Sequence, residues 1–231
     1  MSVTSRSGRL ALAAVVALVA LAVRFAAWEE IRGTPLDAWH EWGETDMATY
    51  LEQARRLAGG GWLAPEPYHP YHAWQSVAPP ERWVGWYGPG VFHQAPLYSY
   101  ALALALRGGG DPLARAKALQ LALGAASALL AFAIALRLAG PIAATTAGLL
   151  IALHGPLVAL EAQLLREGPA IFGLLAVLAL LVRHLGPPLR GPGSAALLGA
   201  ALGAFAMLHE LARVAAILQG TEEADNVSFY L

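Results

Sequence analysis

The chain has 231 residues, of which 57% are hydrophobic and only 13% charged, with a formal net charge of −1. That balance excludes an ordinary soluble domain and gives no basic excess for a nucleic-acid partner, and no GxGxxG or GxxxxGKS phosphate loop is present. Cysteine is absent, so disulfides, thiolate zinc sites and cysteine nucleophiles are excluded, and any metal must be held by His and carboxylates.

The hydrocarbon core of a bilayer is about 30 Å thick, so a crossing helix needs roughly 20 mostly apolar residues. Residues 10–28 form the first such stretch, interrupted only by Arg24. Arg6 and Arg9 precede it and place the N-terminus in the cytoplasm by the positive-inside tendency. The stretch ends at Trp28-Glu29-Glu30 rather than at a small-residue cleavage site, which reads as an uncleaved anchor.

Residues 29–112 differ sharply in character. All seven tryptophans and eight of the fifteen prolines fall between Trp28 and Pro96, which marks a large loop, external if the N-terminus is cytoplasmic. Within it, Met47, Tyr50, Leu51, Ala54, Leu57 and Ala58 recur at helical spacing, so a surface helix is expected near 45–58. Thr45 is placed to cap it and Gly59-Gly60-Gly61 to end it. Residues 62–93 carry too much Pro, Gly and aromatic character for any periodicity. A second short helix, opened by Pro96, is expected near 96–106, and eleven residues at 1.5 Å each cover only about 16 Å.

If that short helix stays at the outer surface, Arg107, Arg115, Lys117, Glu161, Arg166 and Glu167 face outside. If it crosses with help from residues 92–95, the faces invert. Residues 113–218 hold the remaining spans, expected at 118–136, 142–160, 169–182 and 194–218, the last carrying His209, Glu210 and Arg213 in its second half. Residues 219–231 form a polar tail. The expected fold is all-α: a single polytopic membrane domain over 1–231, with about five spanning helices and a large external loop bearing juxtamembrane helices.

Two groups of residues carry a resemblance. Gly43-Glu44-Thr45-Asp46, Tyr50-Leu51 and Ala54 follow the first membrane helix, and His93-Gln94-Ala95-Pro96-Leu97-Tyr98 opens the second short helix. Their order and spacing over about residues 8–190 resemble the N-terminal part of the GT-C membrane glycosyltransferases, the fold of protein O-mannosyltransferases and lipid A aminoarabinose transferases. The family's members are usually much longer.

The resemblance implies transfer of a sugar from a polyprenyl-phosphate donor to a hydroxyl of an acceptor glycan, lipid or protein, outside a bacterial inner membrane, with inversion at the anomeric carbon. It assigns the catalytic role to Asp46, a possible second acidic role to Glu167, Glu161 or Glu44, and the donor phosphate to Arg115, Lys117 and Gln94. A divalent metal is compatible with it, with His93 as a candidate ligand. The chemistry suits these residue types: a carboxylate takes the acceptor's proton, and cations or a metal stabilise charge on the departing phosphate.

Each assignment has a plainer alternative. Asp46 and Glu44 sit where a helix macrodipole favours acids. His69 and His72 flank Pro70 in a loop, where histidines commonly have no ligand. Trp62, Trp74, Trp83 and Trp86 suit an interfacial aromatic belt as well as a sugar-stacking platform. Arg115 and Lys117 suit snorkelling flanks, and Glu161, Arg166 and Glu167 suit a solvated hairpin turn. The rival to an enzyme is therefore a non-catalytic membrane subunit whose aromatic loop binds a partner. A transporter ranks below both.

Overall fold

The computed structural model of the chain describes residues 5–62, 94, 96–185 and 192–209, and among them every regular element is a helix. In chain order these are α1 (Arg6–Ile31), a 3-10 turn at Trp39–Glu41, α2 (Asp46–Ala58), α3 (Pro96–Leu106), α4 (Pro112–Ala152), α5 (Gly155–Glu161), α6 (Glu167–Leu185) and α7 (Pro192–His209). Among the described residues, three helices are long and apolar enough to cross a membrane: Arg6–Ile31, Pro112–Ala152 and Glu167–His184. Their length and composition are those of an integral membrane protein.

The helix starts follow from local chemistry. The Ser5 hydroxyl accepts from the Gly8 N–H at 3.0 Å to cap α1, and the Thr45 hydroxyl does the same for Ala48 N–H at 3.2 Å in α2. Asp111 caps α4 by accepting from Leu113 and Ala114 N–H at 2.9 and 3.2 Å, with Pro112 at the position where a missing N–H costs nothing.

At 41 residues α4 would be about 61 Å long if straight, twice the hydrocarbon thickness. It is not straight. Gly140 has φ 85° and precedes Pro141, and the chain folds back there. A Cβ placed on Gly148 would lie 3.2 Å from Phe132 Cβ, residues that a continuous helix would hold about 24 Å apart. The two arms, 112–139 and 141–152, form a hairpin against α1. Its seam is built from small groups (Ala20, Ala125, Ala128, Ala144 and Ala152), with Val16 and Phe132 packed among them. Close approach of this kind is how helices associate in lipid, where burying apolar surface supplies no net drive.

The expected span at 142–160 is corrected by this geometry. It is interrupted at Leu153 and His154, where the second arm of α4 ends and α5 begins. Pro156 has no N–H to offer the Ala152 carbonyl four residues back, so the ladder cannot continue, and His154 Nδ1 accepts from Leu157 N–H at 3.2 Å to start the new helix. Of the expected 194–218 span, the described part is α7, apolar over Ala196–Phe205.

A second core sits at one end of the bundle. Met47, Tyr50, Leu51, Ala54 and Leu57 of α2 pack on Tyr98, Leu102 and Ala103 of α3, and the cluster is closed by Ala116, Leu164 and Ala170. Side-chain contacts pair Asp46 with Gln94 and Tyr50 with Tyr98, and Arg107 reaches the Ala58 carbonyl, so α2 and α3 run side by side in parallel. Lys117 of α4 bonds Asp37, just past α1, so the segment between α1 and α4 starts and finishes at the same end of the bundle.

Candidate functional site

The site is built around the first turn of α2. Thr45 caps that helix and donates its own hydroxyl to the Trp42 carbonyl at 2.9 Å, which fixes the approach of the chain and makes Asp46 the first helical residue. Asp46 is exposed, and its Oδ1 accepts from Gln94 Nε2 at 2.7 Å. The carboxylate sets the orientation of the Gln94 amide, whose Oε1 is then buried without a partner. Glu44 lies two residues earlier and is exposed.

One turn after Gln94, Tyr98 is buried against Tyr50, ring centroids 4.9 Å apart and edge to face. Burial, then the neighbouring Tyr50 and the Glu167 carboxylate, push the Tyr98 phenol well above its ordinary pKa of 10.0. It therefore stays protonated and donates to Gln120 Oε1 at 2.5 Å. Gln120 Nε2 in turn faces the carbonyls of Gln163, Leu165 and Glu161 at 2.7, 3.2 and 3.4 Å. This one buried amide gathers the turn that leads into α6, where Glu167 occupies the first helical position and keeps one carboxylate oxygen buried and unpartnered.

Below these groups lies a pocket of about 190 Å³ between α3, α4 and α6, walled mainly by Leu97, Leu102, Leu119, Leu123 and Phe172. Tyr98 and Gln120 also line it, but their hydrogen-bonding atoms serve each other.

The two cations assigned to a phosphate are both engaged within the fold. Arg115 donates to the Ala105 carbonyl through Nε at 3.2 Å and Nη2 at 2.6 Å, and to the Gly108 carbonyl at 2.8 Å, capping the end of α3. Only its Nη1 is left without a partner. Lys117 is buried with its ammonium on the Asp37 carboxylate and backbone carbonyl. That bond is the largest reason the Asp37 pKa lies below its ordinary 3.8.

Glu161 is not in a solvated turn. Its carboxylate is fully buried and paired with Arg24 of α1, itself 1% exposed, at 2.7 Å from Nε to Oε2 and 3.2 Å from Nη2 to Oε1. Arg24 Nη1 also donates at 3.3 Å to the Ala20 carbonyl and to that of Ala152, the carbonyl that Pro156 leaves free. Two glycines make room: a Cβ on Gly124 would meet Glu161 Oε2 at 2.1 Å, and one on Gly168 would meet its Cγ at 2.9 Å. Sequence reasoning passed over Arg24 as an interruption of the first span, although a guanidinium inside an apolar helix is itself a signal that a partner exists.

Among the candidates, then, Asp46 and Gln94 are in contact, and Lys117, Glu161 and Glu167 sit at the same end of the bundle. Arg115 lies at the far end of α3 from Gln94. His93, His69, His72, Trp74, Trp83, Trp86, Glu210, Arg213 and the tail 219–231 lie outside the described residues. Among the described residues no three His, Asp or Glu side chains are grouped to hold a metal ion. Comparison with known protein families, curated proteins and solved structures found no match.

Proposed function

We propose that the chain is a GT-C-like membrane glycosyltransferase that moves a sugar from a polyprenyl-phosphate donor to an acceptor hydroxyl. In this reading the spans form a polytopic bundle in a bacterial inner membrane, residues 29–112 lie outside, and Asp46 is the general base. The observation that carries it is the Asp46 carboxylate: exposed to an incoming hydroxyl and oriented by Gln94 at 2.7 Å. A base must lie within hydrogen-bond reach of the proton it takes, and a fixed, accessible carboxylate meets that need.

The apolar pocket between α3, α4 and α6 supports the same reading, since it offers a polyprenyl chain a seat next to the polar groups. Charge on the departing phosphate needs a cation. Arg115 stands at the opposite end of α3 from Asp46 with its one unpartnered nitrogen buried, and Lys117 serves only after releasing Asp37.

A second reading, a non-catalytic membrane subunit that binds a partner through its aromatic loop, is favoured by that same engagement of Lys117 and Arg115. The two are separated by incubating the protein in lipid nanodiscs with radiolabelled polyprenyl-phosphate sugars and hydroxyl acceptors. The enzyme reading expects transfer by the wild type and its loss in Asp46→Asn, with helicity and unfolding midpoint unchanged. Undiminished transfer by that variant removes Asp46 as the base, and no transfer across the whole donor panel leaves the subunit reading.

A further inference from the structure

We infer that Arg24 and Glu161 are positioning residues that fix the Glu161–Glu167 turn, and with it the wall behind α2 and α3, relative to the membrane-spanning helices. The inference rests on the proposed function only in calling that turn part of an active site; the positioning itself stands on the packing.

The two cores of the protein share α4. One joins α1 to the arms of α4, and the other joins α2 to α3 and is closed by Ala116 of α4 and Ala170 of α6. The Glu161 side chain lies where they meet. Its carboxylate is held by Arg24 of α1, occupies the space left by Gly124 of α4, and has its Cγ against Gly168 in the first turn of α6. The next residues are pinned by Gln120, and Leu164 and Ala170 then enter the core formed by α2 and α3. A displacement of Glu161 is thus passed along a pinned turn to Glu167 and to the packing behind Tyr50 and Tyr98.

Arg24 is suited to this because it does two things at once. The planar guanidinium engages the carboxylate through two nitrogens while Nη1 holds the Ala152 carbonyl at the break between α4 and α5. Both pieces of the interrupted span are fixed to α1 by one side chain. A shorter neutral group cannot reach both. Buried ion pairs often add little net stability over an apolar pair of similar volume, so a geometric role is the better account of retaining one here.

The chain lacks cysteine, so two introduced thiols report unambiguously. Nitroxide labels at Arg55→Cys on α2 and Leu174→Cys on α6, both exposed positions, give their separation by pulsed electron resonance in nanodiscs. Wild type should give one narrow distance. Glu161→Gln, and Arg24→Gln/Glu161→Gln, in which no uncompensated charge remains if the single variant fails to fold, should lose it for a broad distribution. Val16→Ala, which weakens only the core between α1 and α4, should lower the unfolding midpoint and keep the narrow distance. A narrow distance in the double variant, or equal broadening in Val16→Ala, overturns the inference. No substrate is needed, so broadening without transfer by any variant upholds the positioning and counts against the enzyme. Transfer that depends on Asp46 with an unmoved distance does the reverse.

Discussion

Replacing Gly124 by alanine tests the buried centre most directly. The added Cβ would stand 2.1 Å from Glu161 Oε2, 2.3 Å from Cδ and 2.4 Å from Oε1, against the 3.4 Å or more of ordinary contact. The carboxylate must retreat by more than about 1 Å, a shift comparable with the margin of its 2.7 Å contact with Arg24 Nε, so the pair is disturbed. Overpacking a core costs about 1–3 kcal/mol, and disrupting a buried ion pair by displacing one partner approaches the ~3–5 kcal/mol of removing it. A loss of about 3 kcal/mol or more is expected, roughly a hundredfold in the folding equilibrium. Two other glycines calibrate it. Gly148→Ala meets Val16 Cγ1 at 2.8 Å and Phe132 Cβ at 3.2 Å, an apolar crowding worth ~1–3 kcal/mol. Gly203→Ala meets nothing within 4 Å and should fall within about 1 kcal/mol of wild type, on the stabilising side through helix propensity. Equilibrium unfolding in mixed micelles, followed by circular dichroism, gives the order. In an Arg24→Met/Glu161→Ala background the Gly124→Ala penalty should shrink to that of Gly148→Ala or less. If Gly124→Ala alone is no costlier than Gly203→Ala, the niche is not filled by the carboxylate and the argument from it collapses.

The bond between Lys117 and Asp37 gives a pH dependence. Because the folded-state pKa of Asp37 is lowered, its contribution to stability is present above the ordinary 3.8 and is lost as pH falls through the lower folded value. Acid unfolding of Asp37→Asn should therefore lack that component, and a wild-type-like acid profile in the variant would show that the pair is solvated. Arg115→Ala removes the cap on the Ala105 and Gly108 carbonyls, so it should cost about 1–2 kcal/mol and raise amide exchange at the end of α3. Protection unchanged there would free Arg115 for a ligand. Single cysteines at Glu44 and Arg166 should be labelled by an impermeant maleimide from the same side of the membrane, since both flank the α2 and α3 core; labelling from opposite sides would mean that α3 crosses.

What the sequence made legible follows from how local the signal is. The start of α2 is written in Thr45, its end in three glycines, and its buried face in the spacing from Met47 to Leu57, all within fifteen residues or so of each other. The apolar stretches at 10–28, 118–136 and 169–182 lie within helices for the same reason: composition over a window suffices. The interruption at Leu153 and His154 was also local in principle, since Pro156 cannot serve the Ala152 carbonyl. It was hidden because a hydropathy window averages across one histidine and one proline.

The site was less legible because its geometry is set by pairs far apart in the chain. Arg24 and Glu161 are separated by 137 residues, and Lys117 and Asp37 by 80. Read singly, each has an ordinary explanation as a span flaw, a turn acid, a snorkelling flank or a loop residue. Pairing changes what each can do. Glu161, weighed as a second catalytic acid, has both carboxylate oxygens turned to a guanidinium and is shielded from water, so it cannot approach an acceptor hydroxyl. Lys117, weighed as a phosphate ligand, is already neutralised. Glu167, by contrast, keeps a buried carboxylate oxygen unpartnered beside the same turn, and Gln94 keeps an unpartnered acceptor next to Asp46. Buried acceptors left open in this way carry a desolvation cost that a hydroxyl-bearing ligand would relieve.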